Sequence, residues 1–246
     1  MENLQPNYQT IAIIGSSGAI ARALINQLAI QHPEAQIFMF SSQNATSKPS
    51  SNQMHHQINY QDEASIAQAA MIASRANPID LIIVATGQLY DQHMMPEKSL
   101  KELSMAQFEN QFQANCTLPA MIAKHFLPKM PKNQCALFAA LSARVGSISD
   151  NRLGGWYSYR ASKAALNMFI KTAAIETKRT HPRAAVIGLH PGTVDSSLSK
   201  PFQARVAPDK LFTPSFTAAK LIEVISQCTP SQSGKCLAWD GQVILP

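Results

Sequence analysis

The chain has 246 residues, of which 46% are hydrophobic and 15% are charged, and its formal net charge is +6. This length and composition are typical of a globular protein, and we expect residues 1–246 to form a single domain with a buried core. No apolar run approaches the roughly 20 residues of a membrane-spanning helix. The lysines and arginines are scattered rather than clustered, so we expect neither a nucleic-acid surface nor a membrane partner.

The cysteines and the N-terminus bear on the cellular compartment. No two cysteines form a C-x-x-C pair, and their spacing indicates neither a disulfide framework nor a metal site. They lie in or beside apolar segments, which predicts buried free thiols. The N-terminal residues lack the basic and apolar regions of a signal peptide. We therefore expect a cytoplasmic protein. The four cysteines are Cys116, Cys135, Cys228 and Cys236.

Short apolar runs alternate with helical patterns along the chain, and each predicts a strand or a helix. This alternation predicts an α/β fold, in which a doubly wound parallel sheet of the Rossmann type is the middle of three α/β/α layers. The polar stretch 41–57 predicts a loop. In chain order, the predicted elements are a strand at 10–14, a helix at 20–28, strands at 35–40 and 56–59, a helix at 65–76, a strand at 80–85, a helix at 108–125, a strand at 134–140, a helix at 157–178, a strand at 184–189, a helix at 217–228 and a strand at 234–239.

Small and polar residues follow several of the predicted strands. Ligands of doubly wound sheets bind beyond the carboxyl ends of the strands. Gly15, Gly87, Ser142 and the pair Pro191-Gly192 each follow a predicted strand. We therefore expect these residues to lie together on one rim of the sheet.

The turn after the first strand reads Ile14-Gly15-Ser-Ser-Gly18-Ala-Ile-Ala21. Small residues between a first strand and a first helix let backbone amides approach a pyrophosphate at the positive end of the helix dipole. The turn therefore predicts a dinucleotide site. A tight turn that binds no ligand is the alternative.

The segment Tyr157-Ser-Tyr-Arg-Ala-Ser-Lys163 predicts an acid/base pair. Residues four apart share one face of a helix, so Lys163 lies beside Tyr159. A free tyrosine has a pKa of about 10, and a nearby cation lowers it toward working pH. The pair thus suits proton exchange with a carbonyl or an alcohol. Tyr157 lies off this face, and we expect it and Trp156 to line the substrate pocket or to pack as ordinary core residues.

Together these motifs resemble the short-chain dehydrogenase/reductase family over essentially the full chain, and they are most similar to its bacterial C-factor-like branch. Part of that branch is linked to cell–cell signalling. The matching segments are Gly15-Ser-Ser-Gly-Ala-Ile-Ala21, Val84-Ala-Thr-Gly87, Asn115, Leu141-Ser-Ala-Arg-Val-Gly146, Tyr159 to Lys163 and Pro191-Gly-Thr-Val-Asp-Ser196.

The resemblance implies roles for individual residues. Tyr159 would be the general acid of carbonyl reduction or the base of alcohol oxidation, and Lys163 would lower its pKa and bond the nicotinamide ribose. Asn115 would hold a water of a proton relay. Ser142 would donate to the substrate oxygen. The implied cofactor contacts are Gly15, Ser17, Gly18, Ile20, Ser41, Gly87, Tyr159, Lys163, Pro191, Gly192, Val194 and Ser196.

The chain departs from the family pattern at three places. Alanines occupy Ala19 and Ala21, where the family has its second and third turn glycines. The usual serine position is Ala143, which leaves Ser142 as the expected donor and Ser147 as its alternative.

The third departure concerns the cofactor. The second strand ends in Phe40-Ser-Ser-Gln43, without the acidic residue that binds the ribose of NAD. We therefore expect NADP, with NAD possible, and a 2′-phosphate near Ser41, Ser42 and either Arg22 or Lys48.

Two functions stay open at this point. The first is an oxidoreductase that transfers a hydride between NAD(P)(H) and a small carbonyl or alcohol. The second is a cofactor-binding signalling or regulatory protein with little catalysis, which the alanines at 19, 21 and 143 favour. The helix over 161–174 is rich in small residues and resembles those that the family uses for dimer contacts, so we expect a homo-oligomer, a dimer or a tetramer. Residues 195–213 have little periodicity and predict a lid over the substrate.

Overall fold

The computed structural model describes residues 7–44 and 50–246. Lys48, one of the predicted phosphate contacts, lies outside these residues. The strands of the described residues are β1 (Thr10–Ile14), β2 (Gln36–Ser41), β3 (Gln53–Gln57), β4 (Leu81–Val84), β5 (Ala136–Leu141), β6 (Ala184–His190), β7 (Thr193–Val194), β8 (Leu211–Phe212), β9 (Cys236–Ala238) and β10 (Val243–Ile244). The α-helices are α1 (Ala19–Gln31), α2 (Glu63–Ala73), α3 (Met105–Phe112), α4 (Leu118–Phe126), α5 (Tyr157–Thr180) and α6 (Pro214–Gln227).

The main sheet has the strand order β10-β9-β6-β5-β4-β1-β2-β3, and only β10 pairs antiparallel within it. The chain begins with β1 in the middle of the sheet and adds β2 and β3 on one side. It then crosses to the other side of β1, where β4, β5, β6, β9 and β10 follow in order. This confirms the predicted doubly wound parallel sheet. The strand order reverses beside β1 and β4, and ligands of such sheets bind at that switch point. A separate two-stranded sheet pairs β7 with β8.

Helices cover both faces of the main sheet, so its central strands are apolar throughout. Along β1, Ala12 and Ile14 pack against the layer of α2, α4 and α5, whereas Ile11 and Ile13 pack against α1 and α6. Every residue of β1 is buried. The two apolar layers anchor the helices, so that each strand end is held at a fixed place on the carboxyl edge.

Several elements differ from their predictions. β3 spans Gln53–Gln57 instead of 56–59, because pairing with β2 recruits polar residues that carry no apolar signal. The helix predicted over 108–125 is interrupted by a π-helical turn at Gln113–Thr117. The short strands β7, β8 and β10 were not predicted, since two residues leave no periodicity to detect.

The cysteines are free thiols, but they are not all buried as predicted. Cys236 is buried, Cys116 and Cys228 are half-buried, and Cys135 is exposed. Among the helices of the described residues, none combines the length and the apolar character needed to cross a bilayer.

Candidate active site

Tyr159 and Lys163 lie together on α5, near the carboxyl end of β5. Both are buried, with 8% and 3% of their surface exposed. The Lys163 Nζ lies 5.9 Å from the centroid of the Tyr159 ring. It also donates a hydrogen bond of 2.9 Å to the carbonyl oxygen of Leu141, the last residue of β5. The predicted pair on one helical face is therefore present and is fixed to the rim of the sheet.

The acidity of Tyr159 differs from the prediction. Burial raises its pKa to about 12, and burial also lowers the pKa of Lys163 to about 8. The ammonium faces the Tyr159 ring and bonds to Leu141, so the loss of water around the phenolate outweighs its attraction to the cation. At neutral pH the phenol therefore holds its proton and Lys163 remains mainly cationic.

Asn115 lies in the π-helical turn between α3 and α4 and is fully buried. Its Oδ1 accepts a 3.0 Å bond from the Gln88 amide, and its Nδ2 donates to the Gln88 carbonyl at 2.8 Å. A Cβ added to Gly87 would lie 3.5 Å from Asn115 Oδ1 and 3.7 Å from Lys163 Nζ. The π-helical turn therefore places Asn115 where it fixes the segment after β4 beside Lys163.

Ser142 follows β5 but is 4% exposed, and its hydroxyl is engaged. Its Oγ donates a 2.6 Å hydrogen bond to Oδ1 of Asn167, two turns after Tyr159 on α5. The Ser142 Cβ lies 3.4 Å from the position of a Cβ added at Gly188 in β6, which places the side chain within the sheet–helix interface. The alternative donor, Ser147, is also buried and accepts from the Asp150 amide.

Aromatic rings surround the start of α5. The Trp156 ring lies 6.2 Å from the Tyr159 ring and 5.0 Å from the Phe202 ring, measured between centroids. Tyr90 contacts Phe202 at 5.8 Å, and its hydroxyl donates to the carbonyl oxygen of Ser197. Phe202 belongs to the segment 195–213. This segment therefore packs on the residues that flank Tyr159.

The turn after β1 requires a glycine at position 15 and is followed by open backbone amides. Gly15 has φ +86°, and a Cβ there would lie 2.9 Å from the backbone of Ala85, so glycine is required. The amides of Gly15 and Ser16 donate to the carbonyl oxygen of Phe40. Gly18 is exposed and begins α1 without a side-chain cap. The first amides of α1 are thus free to face an anion.

Ser17 and Ile20, the other predicted contacts in this turn, are half-buried beside Gly18. Ala19 is the first residue of α1, and Gly18 has an ordinary extended conformation with φ −68°. The backbone at Gly18 is therefore one that residues other than glycine can also adopt.

Ser41 ends β2 and is 1% exposed. Its Oγ donates a 2.6 Å bond to the carbonyl oxygen of Gln43 and lies 3.0 Å from Nε2 of His55. Beyond the carboxyl ends of β2 and β3 there is a cavity of about 430 Å³. It is lined by Ser42, Gln57, Ile58, Asn59 and Ser65.

The predicted nicotinamide contacts follow β6. Gly192 has φ +76°, and a Cβ there would lie 2.6 Å from the Phe212 ring. Val194 is buried in the small β7–β8 sheet, while Pro191 and Ser196 are half-buried. Just before them, burial lowers the pKa of His190 to about 4, so this imidazole is neutral at physiological pH.

Comparison with known proteins identifies the family. The sequence profile described as short chain dehydrogenase matches residues 9–207. The chain belongs to the short-chain dehydrogenase family. This short-chain dehydrogenase is therefore an NAD(P)-dependent oxidoreductase, as the motifs predicted.

Two curated relatives illustrate its position in the family. C-signal of Myxococcus xanthus is 28% identical over 144 residues, which cover 58% of this chain and 81% of that protein. This confirms the predicted similarity to the C-factor-like branch. The 1-hydroxy-2-glutathionyl-2-methyl-3-butene dehydrogenase of Rhodococcus sp. (strain AD45) is 38% identical over 109 residues, or 44% of this chain. The match spans only 46% of that second relative's length.

A solved structure resembles the whole dehydrogenase. NADPH-bound carbonyl reductase from chicken fatty liver superposes with a TM-score of 0.83 at 19% identity. The superposition covers 99% of this chain and 96% of that chain. It shows that the two proteins share their fold.

Sequence reasoning missed several residues around the site of this dehydrogenase. Asn59 and Ser65 line the cavity beyond β3. The sequence placed Asn59 inside a strand over 56–59, whereas β3 ends at Gln57 and leaves Asn59 in the segment that follows it. Phe202 lies in a segment without periodicity. Glu97 is 1% exposed and bonds to the start of α5 from a distant loop. Its only signal in the sequence was a carboxylate in a segment that otherwise looks like a surface loop.

Proposed function

We propose that this short-chain dehydrogenase reduces small carbonyl compounds with NADPH, and that Tyr159 is the general acid. The observation that carries the proposal is the buried phenol itself. Because burial raises its pKa to about 12, Tyr159 holds a proton throughout the physiological range. A group that is always protonated suits donation to a carbonyl oxygen better than removal of a proton from an alcohol.

The residues present fit a nicotinamide dinucleotide. The open amides at the start of α1, next to the strained Gly15, suit its pyrophosphate, and the cavity lined by Ser42 and Asn59 suits the adenosine end. Gly87 is exposed beside Lys163, and we propose that Lys163 bonds the nicotinamide ribose there. The bound cofactor would supply the hydride.

The remaining predicted cofactor contacts fall in two groups. We propose that Ser17, Gly18 and Ile20 line the pyrophosphate, and that Gly192 and Val194 help hold the nicotinamide end. Pro191 and Ser196 are included in this second group, because they flank the same turn after β6.

We propose NADP rather than NAD because no carboxylate stands at the end of β2. The segment after Phe40 offers Ser41, Ser42 and Gln43 instead. Ser41 already donates its proton to the Gln43 carbonyl, so Ser42 is the freer hydroxyl for a 2′-phosphate. The chicken carbonyl reductase of the same fold binds NADPH, which agrees with this choice. NAD remains the second candidate cofactor.

The proton path would run through α5 and its neighbours. We propose that Lys163 stabilises the phenolate as Tyr159 releases its proton. Asn115 would support a water behind Lys163; since its side-chain amide is already bonded to Gln88, its backbone carbonyl is the better partner for that water. Ser142 is a weaker candidate for the substrate donor, because its proton is directed to Asn167.

The aromatic rings of Trp156, Tyr90 and Phe202 support a substrate with an apolar body. Such rings bury apolar surface and offer few polar partners. We further propose that residues 1–246 form one domain of a cytoplasmic homo-oligomer that contacts its copies through α5. The exposed Met168 and Ile175 on that helix support such a contact.

A second function is a cofactor-binding signalling protein with little turnover. Its support is specific: Ala143 replaces the family serine, Ser142 is engaged, and C-signal is a relative. The two functions predict different outcomes for the same protein. A signalling protein would bind NADPH without oxidising it in the presence of any carbonyl.

Substitution of the neighbouring tyrosines tests the proposal. NADPH oxidation is measured with a panel of aldehydes and ketones, and cofactor affinity is measured by calorimetry. Tyr159→Phe should lower kcat by about 10³-fold and leave the Kd for NADPH within about 3-fold. Tyr157→Phe is the matched control and should keep most of the turnover. Equal turnover of Tyr159→Phe and the wild type would exclude Tyr159 as the acid.

A further inference from the structure

The three residues that precede α5 have left-handed backbones. Gly154, Gly155 and Trp156 have φ angles of +63°, +65° and +53°. Within residues 7–44 and 50–246, Trp156 is the one residue other than glycine with a positive φ. A bulky side chain disfavours this conformation, which persists only where surrounding contacts hold it. The contacts around Trp156 should therefore explain why it is held there.

Glu97 holds this segment from one side. Its carbonyl oxygen accepts a 2.5 Å hydrogen bond from the Trp156 amide, and its Oε2 accepts from the Ser158 amide at 3.3 Å. Trp156 gives α5 no side-chain cap, so Glu97 supplies the cap from a distant loop. Its negative charge also lies at the positive end of the dipole of this 24-residue helix.

Arg160 holds the same segment from the other side. Its guanidinium donates to the carbonyl oxygens of Gly155 at 2.9 Å and Gly154 at 3.2 Å. A third bond, of 3.4 Å, reaches the carbonyl oxygen of Val145 in the turn that follows β5. The left-handed segment is thus tied to both the 97 loop and the rim of the sheet.

The position of Glu97 is poorly explained by stability alone. Its Oε1 and the neighbouring Ser158 Oγ are both buried, and neither has a hydrogen-bond partner in the part of the chain that the structure describes. A buried carboxylate oxygen without a partner destabilises the folded state. Glu97 therefore fits a role in which its benefit is the placement of α5 and of the Trp156 ring beside Tyr159.

We propose that Glu97 is a positioning residue for proton transfer by Tyr159. By bonding the amides of Trp156 and Ser158, it fixes the first turn of α5 and the indole that packs on the Tyr159 ring. The inference rests on the proposed function of Tyr159. A displacement of about 1 Å at such a site can cost on the order of 100-fold in rate, so the loss of Glu97 should reduce kcat.

The kinetic test compares three variants with the wild type. Glu97→Leu removes the carboxylate that accepts from the Ser158 amide and leaves the backbone carbonyl that accepts from the Trp156 amide. Glu97→Gln keeps a side-chain acceptor for Ser158 N and adds a donor for Ser158 Oγ. Asp80→Leu is the matched control, because the Asp80 carboxylate, like that of Glu97, accepts from the backbone: it bonds the amides of Gln9 and Thr10 at the opposite edge of the sheet. Thermal unfolding is measured for all of them.

Glu97→Leu should lower kcat by about 10-fold or more with the KM for NADPH within about 2-fold. Glu97→Gln should stay within about 3-fold of the wild-type kcat, and Asp80→Leu within about 2-fold despite its loss of stability. The proposal is overturned if Glu97→Leu keeps the wild-type kcat, if Glu97→Gln is equally impaired, or if Asp80→Leu loses as much kcat. Should Glu97→Leu not fold, Glu97→Asp, one methylene shorter, replaces it in the same comparison.

A second measurement does not depend on turnover. The chain has two tryptophans, so in a Trp239→Phe background the fluorescence comes from Trp156 alone. Glu97→Leu in that background should raise the acrylamide quenching constant of Trp156 by about 2-fold, because the first turn of α5, next to the indole, loses its carboxylate cap. Unchanged quenching would overturn the positioning role. If the wild type reduces no carbonyl, the proposed function fails, while this measurement still tests Glu97.

Discussion

The turn after β1 and the start of α5 both lie on the carboxyl edge of the sheet, but they are built by different means. The β1 turn uses small residues and leaves the first backbone amides of α1 open, with Gly15 as the one residue that the geometry requires. The start of α5 uses charged side chains, Glu97 and Arg160, that bond its backbone from both sides. The first arrangement suits an anionic ligand, and the second fixes the phenol that we propose as the proton donor.

The difference extends to the energetics of the two regions. An anion site made of amides needs no buried charge, so it costs the folded state little. At α5, Lys163 and Glu97 are both buried, and Tyr159 is buried beside them. Burial of ionisable groups destabilises the folded protein. Substitutions at α5 should therefore separate activity from stability, whereas those at the β1 turn should reduce binding and stability together.

Among the substitutions that test this comparison, the largest effect after Tyr159→Phe is expected from Lys163→Met. Loss of the ammonium beside Tyr159 should lower kcat by about 100-fold or more. Because burial lowers the pKa of Lys163 to about 8, removal of the buried charge should also stabilise the protein at pH 7. The gain in the free energy of unfolding should be up to about 3 kcal/mol, reduced by the loss of the hydrogen bond to Leu141. Urea unfolding with parallel kinetics measures both effects.

The lowered pKa of Lys163 also decides how the stability of the wild type changes with pH. The folded-state pKa of Lys163 lies below the value of the unfolded chain, so between about pH 8 and 10.5 the folded state binds fewer protons. Wild-type stability should therefore rise relative to Lys163→Met across that window, and the advantage of the variant should shrink. If Lys163→Met were less stable than the wild type at pH 7, burial of the Lys163 ammonium would not destabilise the folded protein as we expect.

The rate of carbonyl reduction should fall above about pH 8. Lys163 loses its proton there, while Tyr159, with a pKa of about 12, keeps its own. A profile of kcat from pH 6 to pH 10 measures this. A constant rate up to pH 10 would show that the charge on Lys163 is not needed for turnover.

Gly15→Ala should have the next largest effect, on binding. The added methyl group would lie 2.9 Å from the Ala85 backbone at φ +86°, which costs about 1–3 kcal/mol. We expect a lower unfolding temperature and a Kd for NADPH raised by about 10-fold. Gly18→Ala is the matched control for the unfolding temperature, since a Cβ there meets only the Gly15 oxygen, at 3.4 Å, and φ is negative. An equal drop of the unfolding temperature in both variants would refute the special role of Gly15.

The smallest effects on kcat are expected from substitutions at Ser142 and Ala143. Ser142→Ala removes the bond to Asn167 and should destabilise the protein by about 1 kcal/mol while kcat changes by less than about 3-fold. Ala143→Ser restores the family's residue and should raise kcat by a few-fold if its hydroxyl reaches the substrate oxygen. A large loss of kcat in Ser142→Ala would instead make Ser142 the donor that the sequence predicted.

The features of this molecule that depend on local sequence patterns could be predicted. Those that depend on burial or on contacts between distant residues could not. The strand Thr10–Ile14 and the pair Tyr159–Lys163 follow from periodicity alone. The direction of the Tyr159 pKa shift does not, because burial depends on the whole fold. The hydrogen bond of Ser142 and the cap from Glu97 were also hidden, since each joins residues more than 20 positions apart.

The most direct test of the central claim follows the hydride. Wild-type protein is given NADPH deuterated at the transferable position and an apolar aldehyde, and the alcohol is analysed for deuterium at the former carbonyl carbon. We predict one deuterium per alcohol formed by the wild type, and about 10³-fold slower labelling by Tyr159→Phe. Cofactor binding without any label in the alcohol, or equal labelling rates in the two proteins, would contradict the account.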